Sequence, residues 1–225
     1  MKEEILKIAQ MIEYVPKIGG GYEDLDKLCE DAMRYRFKTV AVGESSVAYC
    51  KNILKGSGVN VSAGISFPFG QTTIEAKVFE AKDAIKLGAD EVEYVVNIAE
   101  VKRQNEDYIS KEMDAIVTEC RKRNVSSKVI FENCYLSKDE IIFLCKIASK
   151  VKPDFIKTTT GFGSGGATVE DVKLMRKYAS SDIKIKAAAG IHDLKTLYAM
   201  VEAGANRIGT SHAIKIIKEL QAIYI

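Results

Sequence analysis

Short apolar runs alternate along this chain with longer segments in which apolar residues recur at spacings of three and four. Runs of a few residues rich in valine and isoleucine are typical of buried strands, and the longer spacing is typical of amphipathic helices. The pattern predicts eight strands, at roughly residues 12–16, 38–42, 59–65, 91–96, 128–133, 154–158, 184–188 and 206–209. The clearest helical stripes are Leu25, Leu28, Cys29 and Ala32; Ile74, Val78, Ala81 and Ile85; and Val169, Val172, Met175 and Ala179.

Polar residues mark where several of these helices begin. Thr72 is followed three residues later by Glu75, and Ser137 by Glu140. This spacing is typical of a capping box, in which the two residues satisfy each other's free backbone N–H groups. We therefore predict helices that start just after Thr72 and Ser137.

Glycines mark where two helices end. Gly88-Ala89-Asp90 leads into the predicted fourth strand, and Gly204-Ala205-Asn206 leads into the eighth. Glycine directly after a helix adopts the left-handed conformation that ends it, and a short turn into a strand is typical of parallel sheets. Eight such units in 225 residues predict an α/β fold, a single-domain (β/α)8 TIM barrel over residues 1–225.

A doubly wound parallel sheet is the alternative architecture. Sheets of that kind that bind dinucleotides carry a G-x-G-x-x-G turn after the first strand. The corresponding position here reads Gly19-Gly20-Gly21, which does not fit that motif.

Composition narrows the class of protein. Lysine and arginine number 33 against 31 acidic residues, so the net charge of +2 gives no reason to expect a nucleic-acid partner.

The amino-terminal segment has no signal-peptide pattern and no run is long enough to span a membrane, so we expect a cytoplasmic protein without a membrane partner. Five cysteines without a C-x-x-C pair predict reduced thiols, and two histidines make a metal site unexpected.

Lysines near the ends of the sixth and seventh strands are the first candidates for chemistry. Strand alternation places Phe155 with Lys157, and Lys184 with Lys186, on shared faces. Active sites of barrels lie at the carboxyl ends of the strands. Two ammonium groups about 6 Å apart at a dielectric of about 20 repel by about 2.8 kcal/mol, roughly two pKa units, which favours an uncharged, nucleophilic amine. Partial burial acts in the same direction. The alternative is that both lysines extend to solvent.

Glycine-rich loops follow the same strands. The segment 158–168 reads TTTGFGSGGAT, and Gly190 and Gly209-Thr210-Ser211 follow the seventh and eighth strands. Barrel enzymes often bind phosphate with the backbone N–H groups of such loops. We therefore predict a phosphate site there, with ordinary flexible loops as the alternative.

A carboxylate in the fourth strand is the third candidate. Glu91 and Glu93 share one face, and Glu93 is nearer the carboxyl end where the site should lie. An inward carboxylate among apolar neighbours needs a cationic partner, and the lysines across the barrel could supply it. A purely structural ion pair is the alternative.

These residues together resemble a known family. Asp154 to Phe162 reads DFIKTTTGF, and with the following Gly165-Gly166-Ala167-Thr168 it is similar to the Schiff-base segment of deoxyribose-phosphate aldolases. The similarity runs from about residue 22 to 217 and includes Phe67-Pro68-Phe69-Gly70 and Arg207 to Ser211. The lysine segment is the most specific part.

The resemblance implies a reaction and a set of roles. Lys157 would form an imine with acetaldehyde or the open-chain sugar, Lys186 would lower the pKa of Lys157 and help proton transfer, and Glu93 would stand for a proton-shuttling aspartate. The family cleaves 2-deoxy-D-ribose 5-phosphate to acetaldehyde and D-glyceraldehyde 3-phosphate without a metal or organic cofactor, and a homodimer is plausible. Glu13 is a possible proton relay. Substrate or phosphate contacts are expected at Thr160, Gly161, Ala189, Gly190, Gly209, Ser211 and His212.

Departures from the family pattern are concentrated in the predicted site. Asp-His-Thr of the first strand is Glu13-Tyr14-Val15, Cys-Val-Asn of the second is Ala41-Val42-Gly43, and the aspartate of the fourth is Glu93. After the seventh strand Gly-Gly-Ile-Arg is Ala189-Gly190-Ile191-His192, and His212 replaces a small residue after the eighth. The leading hypothesis is an imine-forming aldolase; the alternatives are an aldolase for another sugar and a sugar-phosphate-binding barrel without turnover.

Overall fold

The computed structural model describes residues 2–16 and 21–224, and in it eight parallel strands form a closed barrel. Each strand pairs with its neighbours in chain order, and β8 pairs with β1. The predicted fold class, a (β/α)8 TIM barrel, is confirmed. The strands are β1 Ile12–Tyr14, β2 Thr39–Gly43, β3 Asn60–Ile65, β4 Glu91–Val95, β5 Ser126–Ile130, β6 Phe155–Lys157, β7 Lys184–Ala188 and β8 Arg207–Thr210.

Helices connect the strands and cover the outside of the barrel. Their apolar faces pack on the outward side chains of the strands, which forms the main hydrophobic core. The helices are α1 Lys2–Ala9, α2 Tyr22–Tyr35, α3 Val47–Ile53, α4 Ile74–Lys86, α5 Ile98–Lys102, α6 Glu106–Arg121, α7 Lys138–Val151, α8 Val169–Tyr178, α9 Leu194–Glu202 and α10 Ala213–Ala222, with short 3₁₀ turns at Glu44–Ser46 and Asn133–Tyr135.

One of the two predicted capping boxes is present and the other is wrong. The Ser137 hydroxyl accepts from the Glu140 N–H, and the Glu140 carboxylate accepts from the Ser137 N–H at 2.7 Å, at the start of α7. Helix α4 is instead capped by Thr73, whose hydroxyl accepts from the Ala76 N–H. The hydroxyl of Thr72 is bonded to that of Ser66 at 2.6 Å, so a tertiary contact displaces it from the cap.

Glycine ends α4 and α9 as predicted. Gly88 has φ +102° and Gly204 has φ +113°, the left-handed region in which a side chain is strained. Residues 19 and 20 of the Gly19-Gly20-Gly21 segment lie outside the described residues.

Seven of the eight predicted strands differ from the observed ones by one to three residues at one or both ends, and the range predicted for β7 is exact. The largest difference is in β5, which begins at Ser126 and ends at Ile130, whereas 128–133 was predicted. In the described part of the chain no helix is long and apolar enough to cross a membrane. Cys29, Cys50, Cys120 and Cys145 are buried free thiols, and Cys134 is partly exposed.

Candidate active site

Lys157 and Lys186 lie side by side on adjacent strands. They are register partners in the β6–β7 pairing, and their relative exposures are only 4% and 0%. The side chains therefore point into the barrel and not to solvent, which rules out the alternative in which both extend into bulk water. The predicted neighbourhood of the two amines is confirmed by this pairing.

A single carboxylate joins the two amines. Lys157 Nζ donates to Glu93 Oε1 at 2.6 Å, and Lys186 Nζ donates to Glu93 Oε2 at 2.6 Å. Glu93 is buried in β4, across the barrel from β6 and β7. Burial opposes the charge of Glu93, but Lys157 and Lys186 outweigh it and hold the pKa of this carboxyl below its usual value.

The two glutamates of β4 occupy different depths, as the alternation of the strand predicts. Glu93 lines the large cavity at the carboxyl end of the barrel. Glu91 lies deeper, where its carboxylate accepts hydrogen bonds from Thr39, Asn60 and Arg207. The sequence therefore distinguished the glutamate that faces the cavity from the one that does not.

Lys186 has a second carboxylate partner in Glu13 of β1. Lys186 Nζ donates to Glu13 Oε1 as well as to Glu93. Burial lowers the pKa of Lys186 to about 8, although Glu13 and Glu93 act in the opposite direction, and Lys157 and Lys128 add to the lowering. An amine with a pKa near neutral pH can both give and take a proton under physiological conditions.

This arrangement corrects the simple electrostatic expectation of two isolated ammonium groups that repel each other. Glu93 lies between them and bonds to both, so the pair is screened by a carboxylate. Burial, and not the neighbouring lysine, is the largest cause that lowers the pKa of Lys186. Partial burial was expected to act in the same direction as the repulsion, but its size depends on the depth of the side chain, which the sequence does not give.

Lys128 and Arg207 were missed by the sequence reasoning, and both lie inside the barrel below the lysine pair. Lys128 Nζ is 2.7 Å from Glu13 Oε2 and 2.5 Å from Glu91 Oε2. Arg207 Nη1 is 3.3 Å from Glu13 and 3.2 Å from Glu91. The available signal was strand alternation, because a basic residue in β5 or β8 that points inward must meet a carboxylate.

Together these side chains form what we call the interior charge cluster. Burial opposes the charge of Glu13, but four cations outweigh it and hold the pKa of this carboxyl well below its usual value. For Glu91, Lys128 and Arg207 likewise overcome burial and bring the pKa to about 2. The cluster consists of Glu13, Glu91, Glu93, Lys128, Lys157, Lys186 and Arg207, all buried.

A cavity of about 1140 Å³ opens above the interior charge cluster. Its floor carries Lys157, Lys186 and Glu93, and its walls are built from the loops that follow the strands. The predicted contact residues Thr160, Gly161, Ala189, Gly190, Gly209 and Ser211 all line it. Val15, Ala41 and Gly43, where the sequence departs from the resembled family, line it too.

The loop after β6 uses several of its backbone donors internally. The N–H of Thr160 donates to the Glu132 carboxylate at 3.0 Å, that of Gly161 to the Thr159 hydroxyl, and that of Phe162 to the Thr160 hydroxyl. These groups are therefore not available to a phosphate in this conformation. The predicted use of Thr160 and Gly161 as anion donors consequently stays a prediction that needs a rearrangement of the loop or a side-chain contact.

The loop after β7 approaches the loop after β6 very closely. A Cβ at Gly166 would lie 2.7 Å from the carbonyl oxygen of Ala189, so only glycine fits there. Ala189 itself has φ +65°, a left-handed conformation that costs about 1–2 kcal/mol for a residue with a side chain. The alanine is therefore held in a strained position at the cavity wall.

The two histidines of the chain meet at this wall. His192 Nδ1 and His212 Nδ1 are 3.1 Å apart, and the rings pack edge to face. His192 lines the cavity and precedes α9, and His212 is the N-cap residue of α10. Ser211 lies within 3.3 Å of the same His212 nitrogen. The predicted contact residue His212 thus belongs to a pair next to two helix amino termini, where anions are favoured.

The chain is similar to known aldolases along most of its length. The family model described as DeoC/LacD family aldolase matches residues 4–215. The chain belongs to this aldolase family. A deoxyribose-phosphate aldolase from Lactobacillus acidophilus is 49% identical over 222 residues, which cover 98% of this chain and 94% of that protein.

A second relative and a solved structure show the same similarity to deoxyribose-phosphate aldolases. A deoxyribose-phosphate aldolase from Bacteroides thetaiotaomicron is 44% identical over 94% of this chain and 90% of its own length. The crystal structure of a putative deoxyribose-phosphate aldolase from Coccidioides immitis superimposes with a TM-score of 0.92 at 32% identity, over 96% of this chain and 87% of that one. The resemblance seen in the lysine segment therefore extends over nearly the whole aldolase barrel.

Proposed function

We propose that this aldolase cleaves 2-deoxy-D-ribose 5-phosphate to acetaldehyde and D-glyceraldehyde 3-phosphate, or joins the two, through an imine on Lys157. The observation that carries the proposal is the pair of buried amines that share the Glu93 carboxylate at the floor of the cavity. Membership of the family and the names of its relatives support this choice of substrate.

The first half of the reaction forms the imine. The uncharged amine of Lys157 attacks the aldehyde carbon, C1, of the open-chain sugar and gives a carbinolamine. Lys186, in its ammonium form, donates a proton to the C1 oxygen, which leaves as water. The nitrogen of Lys157 is then bonded to C1 by a protonated double bond. Because the pKa of Lys186 is about 8, this ammonium group is a stronger proton donor than that of an ordinary lysine and still largely protonated at neutral pH.

The second half breaks the carbon–carbon bond. Glu93 accepts the proton of the C3 hydroxyl, the C3 oxygen forms a carbonyl, and the electron pair of the C2–C3 bond moves toward the protonated imine. D-glyceraldehyde 3-phosphate leaves, and an enamine remains on Lys157. Protonation at C2 and addition of water then release acetaldehyde. Glu93 suits this role because it is held by both amines and faces the cavity.

The phosphate of the substrate is proposed to bind at the loops after β7 and β8. Gly190, His192, Gly209 and Ser211 line that end of the cavity, and His212 contacts His192 beside it. Neutral imidazole can donate one hydrogen bond to a phosphate, and protonated imidazole adds a positive charge. This end of the cavity therefore offers donors of the kind that a phosphate monoester requires.

Reduction of the imine tests the proposal directly. The protein is incubated with acetaldehyde or deoxyribose 5-phosphate, borohydride is added, and the modified peptide is identified by mass spectrometry. We expect the adduct at Lys157, its loss in Lys157→Met, and its retention in the control Lys77→Met, which removes another fully buried lysine. An adduct distributed over surface lysines, or none at Lys157, would overturn the proposal.

Comparison of substrates separates the alternatives. Cleavage of deoxyribose 5-phosphate faster than of deoxyribose supports the phosphate assignment, and the reverse order points to another sugar. Binding of the sugar phosphate without release of an aldehyde in either direction would instead identify a non-catalytic binding barrel. The altered residues Val15, Gly43 and Ala189 at the cavity wall make this comparison informative.

Further expectations stay predictions. They are a single aldolase domain over residues 1–225, a cytoplasmic location, a homodimer and a role in the breakdown of deoxynucleosides. Size-exclusion chromatography with light scattering tests the homodimer.

A further inference from the structure

The interior charge cluster is unbalanced. Among the described residues it contains four buried cations, Lys128, Lys157, Lys186 and Arg207, against three buried carboxylates, Glu13, Glu91 and Glu93. With every group ionised the cluster carries one excess positive charge. A buried excess charge is costly, and loss of one proton removes it.

The contacts indicate which cation retains its proton and which gives it up. Arginine remains charged in proteins. Lys128 touches Glu13 and Glu91, and although burial opposes its charge, Glu13, Glu91 and Glu93 raise its pKa above the usual value. Lys186 is the amine whose pKa is lowered. Lys157 and Lys186 share the Glu93 carboxylate one layer above Lys128, so the excess charge is relieved within this pair, and the lowered pKa of Lys186 makes its proton easier to lose than that of Lys128.

We propose that Lys128 is a positioning residue that sets the proton affinity of Lys186 through the carboxylate of Glu13, which both lysines share. One oxygen of Glu13 accepts from Lys128 and the other from Lys186. Because Lys128 supplies the fourth cation, it weakens the hold of Glu13 on the Lys186 proton. Lys128 does not line the cavity, so it acts without touching the substrate.

This inference rests on the proposed function only for its kinetic consequence. If Lys186 donates a proton as an ammonium group, then kcat/KM falls as the pH rises through the pKa of Lys186. The groups that face Lys186 are Glu13 from β1, Glu93 from β4, Lys128 from β5 and Lys157 from β6, and Arg207 from β8 acts through Glu13. Charge balance across all of them decides the direction of each shift below.

Substitutions at two positions should move the titration of Lys186 in opposite directions. Lys128→Met balances three cations against three carboxylates, so Lys186 should keep its proton to a pH higher by about one unit or more. Glu91→Gln leaves two carboxylates against four cations, so the midpoint should shift to lower pH. Lys128→Arg retains the charge and should restore the midpoint of the unsubstituted protein.

The experiment follows the lysine side-chain nitrogens by NMR in ¹⁵N-lysine-labelled protein, with Lys186→Arg to assign the signal, beside the pH profile of kcat/KM. Lys77→Met is the matched control, because Lys77 is also fully buried and bonded to a buried glutamate, Glu112. We expect a stability loss in both methionine variants and a shift of the Lys186 midpoint in Lys128→Met alone.

Three results would overturn the inference: an unshifted midpoint in Lys128→Met, an equal shift in Lys77→Met, or shifts of the same sign in Lys128→Met and Glu91→Gln. If Lys128→Met does not fold, Glu91→Gln still decides the question, because its midpoint must fall. The NMR titration needs no turnover. A failure of the proposed reaction, seen as absence of the borohydride adduct at Lys157, is therefore distinguishable from a failure of this inference.

Discussion

Two groups of buried lysines and glutamates, one inside the barrel and one between the strands and the outer helices, differ in what surrounds them. Between α4, β4 and α6, Lys77 donates to Glu112 at 2.6 Å and to the carbonyl of Val95 at 2.7 Å. Inside the barrel, Lys157 and Lys186 share Glu93 at the floor of a cavity. Both groups therefore contain buried ion pairs, but only Lys157, Lys186 and Glu93 line a cavity that a substrate could enter.

The glutamates of the two groups also have pKa values shifted in opposite directions, although burial acts on all of them in the same way. Burial raises the pKa of Glu112, and Lys77 alone is not enough to bring it back. Burial acts in the same direction on Glu13 and Glu91, but several cations outweigh it and their pKa values are lowered. A single ion pair thus only tolerates burial, whereas a network of cations can hold carboxylates ionised.

Removal of one lysine from each group should give the largest contrast. Lys157→Met is expected to lower kcat by at least about 10⁴-fold, because the nitrogen proposed to form the imine is removed. Lys77→Met should leave kcat close to that of the unsubstituted protein but cost roughly 3–5 kcal/mol in stability, because Glu112 loses its partner. Steady-state kinetics and urea unfolding measure the two effects, and a large loss of kcat in both variants would erase the distinction.

Changes at Glu93 should affect the chemical step next most strongly. Glu93→Gln removes the proposed proton acceptor and is expected to lower kcat by about 10²–10⁴-fold. Glu93→Asp shortens the side chain by one methylene, so it cannot keep both hydrogen bonds of 2.6 Å to Lys157 and Lys186, and a loss of about 10²-fold is expected. Glu112→Gln is the control. An unchanged kcat in Glu93→Gln would remove this residue from the mechanism.

Acid should destabilise the two groups differently. The pKa of Glu91 is about 2 in the folded protein against 4.5 as the usual value, so its stabilising contribution is full above about pH 4.5 and is lost as the pH falls toward 2. Glu112 has a raised pKa, and its contribution therefore has the opposite sign. Unfolding free energies from pH 7 to 2 should fall less steeply in Glu91→Gln and more steeply in Glu112→Gln than in the unsubstituted protein.

The histidine pair should affect binding without affecting the chemical step. His192→Ala and His212→Ser are each expected to raise KM for deoxyribose 5-phosphate by roughly 10-fold, with little change in kcat, because an imidazole proposed to contact the phosphate, or its ring partner, is lost. KM for unphosphorylated deoxyribose should stay unchanged. Equal effects on both substrates would show that the pair shapes the cavity and does not recognise phosphate.

The smallest expected effect concerns the strained cavity wall. Ala189→Gly should raise the free energy of unfolding by about 1 kcal/mol or less, because glycine adopts φ +65° without strain, while its greater freedom in the unfolded chain offsets part of the gain. Gly166→Ala should be destabilising, since its Cβ would meet the Ala189 carbonyl. Thermal unfolding of the two variants tests the opposite signs, and destabilisation by Ala189→Gly would contradict the argument.

The sequence by itself determined the fold class and the principal side chains of the site. Apolar periodicity located eight strands, and alternation within them placed Lys157, Lys186 and Glu93 inward near the carboxyl ends. These are local properties, because the geometry of one strand fixes the face on which each of its residues lies.

Tertiary structure decided everything that depends on several strands at once. Only closure of the barrel brings Lys128 and Arg207 against Glu13 and Glu91, and only the depth of Lys186 reveals that burial lowers its pKa to about 8. The same holds for the displaced cap at Thr72 and for the internal use of the Thr160 N–H. Desolvation and charge balance are sums over all neighbours in space, and a one-dimensional pattern does not contain them.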